Sequence, residues 1–207
     1  MPTAVNLDQF RAEPLHRDPF PHLIMRDFIR AEVLDAVLKD FPAIDKPGSF
    51  PLYGLDYGGA FAHLIEELQS DAVRAAFAEK FGLDLSDRPP MITLRGMCRA
   101  KDGQIHTDSR SKIITVLIYL NRDWESQEGR LRLLRSPDNL EDAVAEVSPE
   151  AGTLLAFLNT QNAWHGHTSF SGKRRSIQLN WVTSPGVVTR EQRRHRVSAF
   201  FKKLNPL

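Results

Sequence analysis

The sequence predicts an α+β chain that is mainly β at its core, an antiparallel sandwich or barrel with helices packed against its outside. Two observations carry this prediction. Residues 91–182 hold a series of short apolar or alternating runs (MITLRGMC, IITVLIYL, RLRLL, TLLAFL and RSIQLNWV) separated by turn residues. The first third instead repeats its apolar residues at helical spacing. Helices first and strands second is the layout of an α+β domain.

The helical part begins with Val33, Leu34, Val37, Leu38 and Phe41, which recur with a helical period until Pro42 closes the segment. Residues 61–81 continue the pattern through Phe61, Leu64, Ile65, Leu68, Val73, Phe77 and Phe81, and Gly82 with Pro89-Pro90 punctuate its end. Between these helices lies a Gly/Pro-rich loop, residues 43–59, carrying Tyr53 and Tyr57. A loop of this length in a small domain is commonly functional, and it reads as a lid whose tyrosines either cover a substrate or pack at the surface. Residues 121–129 offer a second candidate wall.

Length, charge and cysteine content narrow the class. At 207 residues the chain suits one domain. It divides into a helical N-terminal part with the lid loop (1–90), a β core (91–183) and a basic helix (184–207). No run of apolar residues is long enough to span a membrane, and the N-terminus has no charged start followed by an apolar stretch. The single cysteine, Cys98, fits a reducing compartment and reads as a small buried hydrophobe. A cytoplasmic protein is expected. With 27 basic against 26 acidic residues, a nucleic-acid binder is not the default reading. The basic residues do concentrate at residues 190–207, where Val197, Phe200, Phe201 and Leu204 give a helix one apolar face.

Chemistry enters at His106-Thr107-Asp108. In an extended segment, positions i and i+2 face the same side, so an imidazole and a carboxylate converge there. With one more histidine they form the 2-His-1-carboxylate set of a first-row divalent metal. A second copy of the motif, His16-Arg17-Asp18, lies in a Pro-rich segment with no strand after it and reads as coincidence. After Asp108 comes a strand that is apolar on both faces. Ile113, Thr115, Leu117 and Tyr119 share one face, and Ile114, Val116, Ile118 and Leu120 share the other. Such a strand belongs between a barrel lumen and outer helices. Far downstream stand His165 and His167, then a strand with Arg175, Ile177, Leu179 and Trp181 on one face. Arg174, Ser176, Gln178 and Asn180 lie on the other. The apolar company of Arg175 places it on the buried side, awaiting a carboxylate that its fork can grip bidentately; Arg174 reads as its solvated neighbour.

In their order and spacing these elements resemble the iron(II)/2-oxoglutarate-dependent oxygenases, in particular their prolyl-4-hydroxylase-like branch. The resemblance rests on His106-x-Asp108, His165 and an arginine ten residues later. It extends to Thr-x-x-x-Tyr-Leu-Asn-x-x-Trp at 115–124, to Gly129-Arg130-Leu131-Arg132-Leu133 and to PFPHLIMRDFI at 19–29. It implies a double-stranded β-helix (a jelly-roll, cupin-like core) with N-terminal supporting helices and a C-terminal helix. It assigns His106, Asp108 and His165 to Fe(2+), Arg175 to the distal carboxylate of 2-oxoglutarate, Tyr119 to a supporting hydrogen bond, and Thr115, Leu117, Leu131 and Trp181 to the pocket wall. His167 would face the substrate side. The implied activity is a dioxygenase that consumes O2 and 2-oxoglutarate, with ascorbate as a supporting reductant, and hydroxylates a prolyl, amino-acid or small-metabolite substrate. Asp108 sets the chain apart from related halogenases, which lack that carboxylate. One departure from the branch is visible: RGMCRAKDGQ, the strand before the metal motif, lacks a tyrosine that often stands near the cosubstrate. Two other classes compete, a non-catalytic β-barrel binding module and a zinc-dependent hydrolase using the same His/Asp/His residues.

Overall fold

A computed structural model describes residues 2–190. The basic helix expected over 184–207 lies largely outside the described residues, though 185–190 are helical. Four helices precede the β core: α1 (Leu7–Ala12), α2 (Ala31–Asp40), α3 (Gly59–Leu68) and α4 (Asp71–Phe81). Where the spacing predicts one helical stretch over 61–81, the chain makes two helices. Ser70 breaks it by capping α4, its side chain accepting from the Val73 N–H at 3.3 Å. Gly82 then ends α4 in the left-handed conformation, φ 66°. The start of α3 is capped from a distance: the Asp40 carboxylate, at the end of α2, accepts from the Ala60 N–H at 2.8 Å. Gly58 leaves the room, since a Cβ there would lie 2.2 Å from the Asp40 carboxyl carbon.

Nine strands follow or interleave: β1 (His22–Met25), β2 (Phe50–Pro51), β3 (Pro90–Cys98), β4 (Lys112–Tyr119), β5 (Leu131–Leu134), β6 (Ala143–Val147), β7 (Leu154–Leu158), β8 (His165–Gly166) and β9 (Gly172–Val182). They form two antiparallel sheets, a six-stranded one in the order β1-β7-β4-β9-β3-β2 and a three-stranded one in the order β6-β5-β8. This is the double-stranded β-helix arrangement. The short strands β1, β2, β6 and β8 are not among the runs that the sequence marks as strands; β2 and β8, at two residues each, carry no periodicity at all.

Both faces of the larger sheet are covered. Outside, the helices pack on Ile114, Val116, Ile118, Ile177, Leu179 and Trp181 in one continuous core. Inside, Tyr119, Leu131, Leu133, Leu155 and Phe157 fill one part of the space between the sheets. The double apolar character of β4 thus has the cause its sequence implies. The outer face of β9 is the one bearing Arg175, and the lumen face is the one bearing Arg174, Ser176, Gln178 and Asn180.

The loop at 43–59 is not a lid over the lumen. Phe50 and Pro51 pair with Leu94 and Thr93 at the sheet edge, Tyr57 packs edge-on against Phe61 at 5.3 Å, and Tyr53 is 68% exposed. The segment is spent on extending the sheet and covering α3.

Candidate metal centre

His106 and His165 are brought together by backbone. They form an isolated antiparallel bridge, each N–H donating to the other's carbonyl at 3.0 Å, which leaves the imidazole rings 4.3 Å apart. Asp108 follows on the same side, and one ligand atom from each of the three residues lies within 4.8 Å of the others. Both rings are oriented from behind. His106 Nδ1 donates to the Gln104 carbonyl at 2.7 Å and His165 Nδ1 to the Ala163 carbonyl at 2.9 Å. Each therefore presents Nε2 to the cavity, the arrangement a metal-binding histidine needs.

The electrostatics hold the set ready. Burial, aided by His106, pushes the His165 imidazole down to about 4, so it is neutral and its lone pair is available at ordinary pH. For Asp108, burial works to raise the carboxyl, but the Lys112 ammonium, His165 and hydrogen bonds from Lys112 and Thr115 outweigh it and hold it below its ordinary range. Lys112 Nζ donates to Oδ1 at 2.7 Å. The Thr115 hydroxyl donates to Oδ2 and lies 3.1 Å from the Asn180 side-chain amide. Each carboxylate oxygen keeps a lone pair for an ion. Two imidazoles and a carboxylate are the donor set of a non-haem iron(II) centre with open positions.

The three residues open into a cavity of about 150 Å³ that Thr115, Leu117 and Leu131 also line. Arg174 lines it too, and two donors there are buried with no hydrogen-bond partner: a terminal guanidinium nitrogen (Nη2) of Arg174 and the hydroxyl of the neighbouring Tyr119. The Arg174 guanidinium carbon stands 5.2 Å from the Tyr119 ring centre. Arg174 is 8% exposed, anchored through Nε to the Gly129 carbonyl at 2.8 Å. Tyr119 is fully buried, and burial pushes its hydroxyl above its ordinary value against the pull of Arg174. Leaving two such donors unpaired is costly, and a carboxylate accepting from both removes the cost.

Two residues do not take their expected places. Arg175 does not reach the cavity. It lies on the helix side of β9, over the Phe41 ring at 5.0 Å, with a 3.5 Å hydrogen bond to the Leu38 carbonyl. Burial among those helices lowers its affinity for its proton. Arg174 is the inward arginine, because the lumen is the polar side of β9. Trp181 is likewise on the helix side, 1% exposed and 4.9 Å from Phe77, so it packs the outer core instead of lining the pocket. Tyr53 and Tyr57 are both remote from the cavity lining. His167 does line it: it is buried, its Nδ1 donates to the Thr168 carbonyl at 2.8 Å, and burial followed by Arg174 lowers its basicity. Gly103, at φ 86°, is required beside it, since a Cβ would lie 2.2 Å from the ring.

Residues 96–183 match the sequence model of the 2OG-Fe(II) oxygenase superfamily, a span that contains the triad, Tyr119 and Arg174. The segment that carries the site belongs to that superfamily. The fold agrees with it. A Pseudomonas putida prolyl-4-hydroxylase superposes with a TM-score of 0.56 at 19% identity, covering 88% of this chain and 92% of that one. A Trichoplax adhaerens prolyl hydroxylase, solved with a peptide fragment from the oxygen degradation domain of hypoxia inducible factor, gives 0.53 at 14% identity, covering 85% and 90%. A viral collagen prolyl hydroxylase from Paramecium bursaria Chlorella virus-1 gives 0.51 at 12% identity, covering 81% and 97%. A search of curated proteins finds no match. The matched segment is thus similar to a superfamily that uses Fe(2+) and 2-oxoglutarate, and its His106/Asp108/His165 set is a donor set that fits Fe(2+). No helix among the described residues is long and apolar enough to cross a membrane.

The sequence reading passed over Lys112, Asn180 and Arg95. Lys112 stands four residues after Asp108 and Asn180 opposite Thr115 in register. The second relation is not visible without the strand pairing. Arg95, in the strand that lacks the branch's tyrosine, also lines the cavity.

Proposed function

We propose that this protein is an iron(II)- and 2-oxoglutarate-dependent dioxygenase, a hydroxylase coupling oxidative decarboxylation of 2-oxoglutarate, to succinate and CO2, with hydroxylation of a prolyl, amino-acid or small-metabolite substrate. The observation that carries the reading is one cavity lined by both the His106/Asp108/His165 set and Arg174, with an orphaned guanidinium nitrogen and the neighbouring orphaned Tyr119 hydroxyl awaiting an acceptor. Iron(II) held by the triad supplies the activation of dioxygen.

The remaining work falls to the chain's own groups. Arg174 and Tyr119 receive the distal carboxylate of 2-oxoglutarate and so fix its direction in the cavity, with the 2-oxo acid end toward the triad. Lys112 and Thr115 hold the Asp108 carboxylate ionised and oriented. Leu117 and Leu131 keep the middle of the cavity dry, which strengthens the polar contacts at both ends. The exposed edge of His106 marks the side from which a substrate approaches. Fold neighbours described as prolyl hydroxylases support a prolyl or amino-acid substrate.

The test is succinate formation from 2-oxoglutarate under air with iron(II) and ascorbate, followed over peptide and metabolite panels. Succinate production that depends on iron and disappears in Asp108→Ala supports the reading. Iron-independent turnover, or hydrolysis surviving in its place, overturns it.

A further inference from the structure

We propose that Arg95 receives an acidic group of the primary substrate, so that the enzyme acts on a carboxylate-bearing molecule or side chain; this rests on the oxygenase reading above. Three strands set its position. Across β4, β9 and β3, Tyr119 pairs with Ser176 and Ser176 with Arg95, so the three residues form one row on the lumen face. The next row along, Leu117, Gln178 and Thr93, leads toward Thr115 and Asn180 and hence to Asp108. Arg95 therefore lies in the wall of the same cavity, one strand beyond the row's middle and across from Tyr119.

The charges in that cavity do not balance. Its lining holds Arg95, Lys112 and Arg174 against the single carboxylate Asp108. Iron(II) adds two positive charges and 2-oxoglutarate two negative ones, so the loaded site keeps the excess. Lys112 is spent on Asp108. Arg174 and Tyr119 take the distal carboxylate, and the other end of the cosubstrate belongs to the metal. Arg95 is left over. Among the described residues no carboxylate forms an ion pair with it. Asp102, a carboxylate that feels its charge, is already bound by Arg99 at 2.9 Å. Arg95 and Arg174 also act together on His167 and Cys98, so two guanidinium groups share one neighbourhood whose acidic group, Asp102, is engaged by Arg99. Arg95 is half-buried where Arg174 is buried, which puts it on the approach to the site and not at its floor. A planar fork in that place suits a carboxylate.

The experiment is calorimetric titration, without oxygen, of the full chain saturated with iron(II) and 2-oxoglutarate. The probes are pairs that differ only in charge: L-aspartate and L-asparagine, L-glutamate and L-glutamine, their N-acetyl forms, and the dipeptides Asp-Pro and Asn-Pro. At least one acid is expected to bind ten-fold or more tightly than its amide. Arg95→Gln is expected to erase that preference while leaving the Kd for 2-oxoglutarate within two-fold. No acid preference in the wild type overturns the proposal, as does a preference that survives Arg95→Gln. A 2-oxoglutarate Kd raised ten-fold by Arg95→Gln also overturns it, because Arg95 would then serve the cosubstrate. If 2-oxoglutarate does not bind the wild-type iron protein at all, the oxygenase reading fails first and the two failures are distinguished.

Discussion

His106 and His165, 59 residues apart in sequence, exchange both backbone hydrogen bonds of one antiparallel bridge at 3.0 Å. The metal centre is thus pinned by main chain before any side chain contributes, and substituting a ligand should spare the fold. Adding Mn(2+) in place of iron, at about 100 times its Kd, should stabilise the protein by ~2.7 kcal/mol. For a chain of this size that raises Tm by roughly 5–10 °C. Asp108→Ala should keep its far-ultraviolet dichroism and lose the metal-dependent shift. A shift that persists in Asp108→Ala means that the ion binds elsewhere.

Arg174 and Arg175 are neighbours with separate tasks. Truncating a buried charged partner costs about 2–5 kcal/mol, so Arg174→Gln should weaken 2-oxoglutarate binding by at least ~30-fold. Arg175→Gln should leave that Kd within a factor of about two and cost the cation–π contact with Phe41, about 0.5–2 kcal/mol of stability, together with the long hydrogen bond to the Leu38 carbonyl. Tyr119→Phe, which deletes one orphaned hydroxyl, should weaken 2-oxoglutarate by about two- to ten-fold without destabilising the metal-free protein. Anaerobic titration of the metal-loaded variants ranks all three. The order with Arg175 ahead of Arg174 contradicts the assignment.

Acid should destabilise the metal-free protein through His165. Its folded value of about 4 lies below its ordinary 6.5, so between those limits the unfolded chain binds the extra proton. Stability therefore rises as pH increases from about 4 to 6.5 and is flat above. His22 and His167, also lowered by burial, act in the same direction. Asp108 adds a second loss, but only as pH falls below its unfolded value near 3.8. Urea midpoints measured with chelator at pH 5 and 7 should differ clearly in the wild type and less in His165→Asn. An equal pH slope in the two proteins rules out His165 as a source.

Trp181 should behave as a core residue and not as part of the pocket. Trp181→Ala opens space beside Phe77 and should cost about 3–5 kcal/mol, a Tm decrease of roughly 10 °C. Folded Trp181→Ala should bind 2-oxoglutarate as the wild type does. A loss of cosubstrate affinity well beyond two-fold, at a temperature where the variant is folded, would return Trp181 to the cavity wall.

Much of the site was legible before folding was considered. The His-x-Asp spacing, the doubly apolar β4 and the distal histidine with its arginine pair are local patterns, and each follows from the period of an extended chain. Asn180 and Arg95 were not legible, because their importance comes from register between strands; Lys112, four residues from Asp108, matters through a turn that brings its ammonium back to the carboxylate. The lid reading of 43–59 failed because Phe50 and Pro51 found a sheet edge, a choice made by tertiary pairing and not by loop composition.

The chain's own order of residues determined the class of the core, the three candidate metal ligands that the fold then gathers, and the fact that positions 174, 176, 178 and 180 share one face while 175, 177, 179 and 181 share the other. Only the folded molecule decided which of those faces looks into the lumen. Apolar area is best buried against helices, where no water or ligand is needed, so Ile177, Leu179 and Trp181 turned outward to α-helical cover and carried Arg175 with them. The polar face, with Arg174, was left to line the cavity. Strand periodicity says which residues travel together, and the packing partner says where they go.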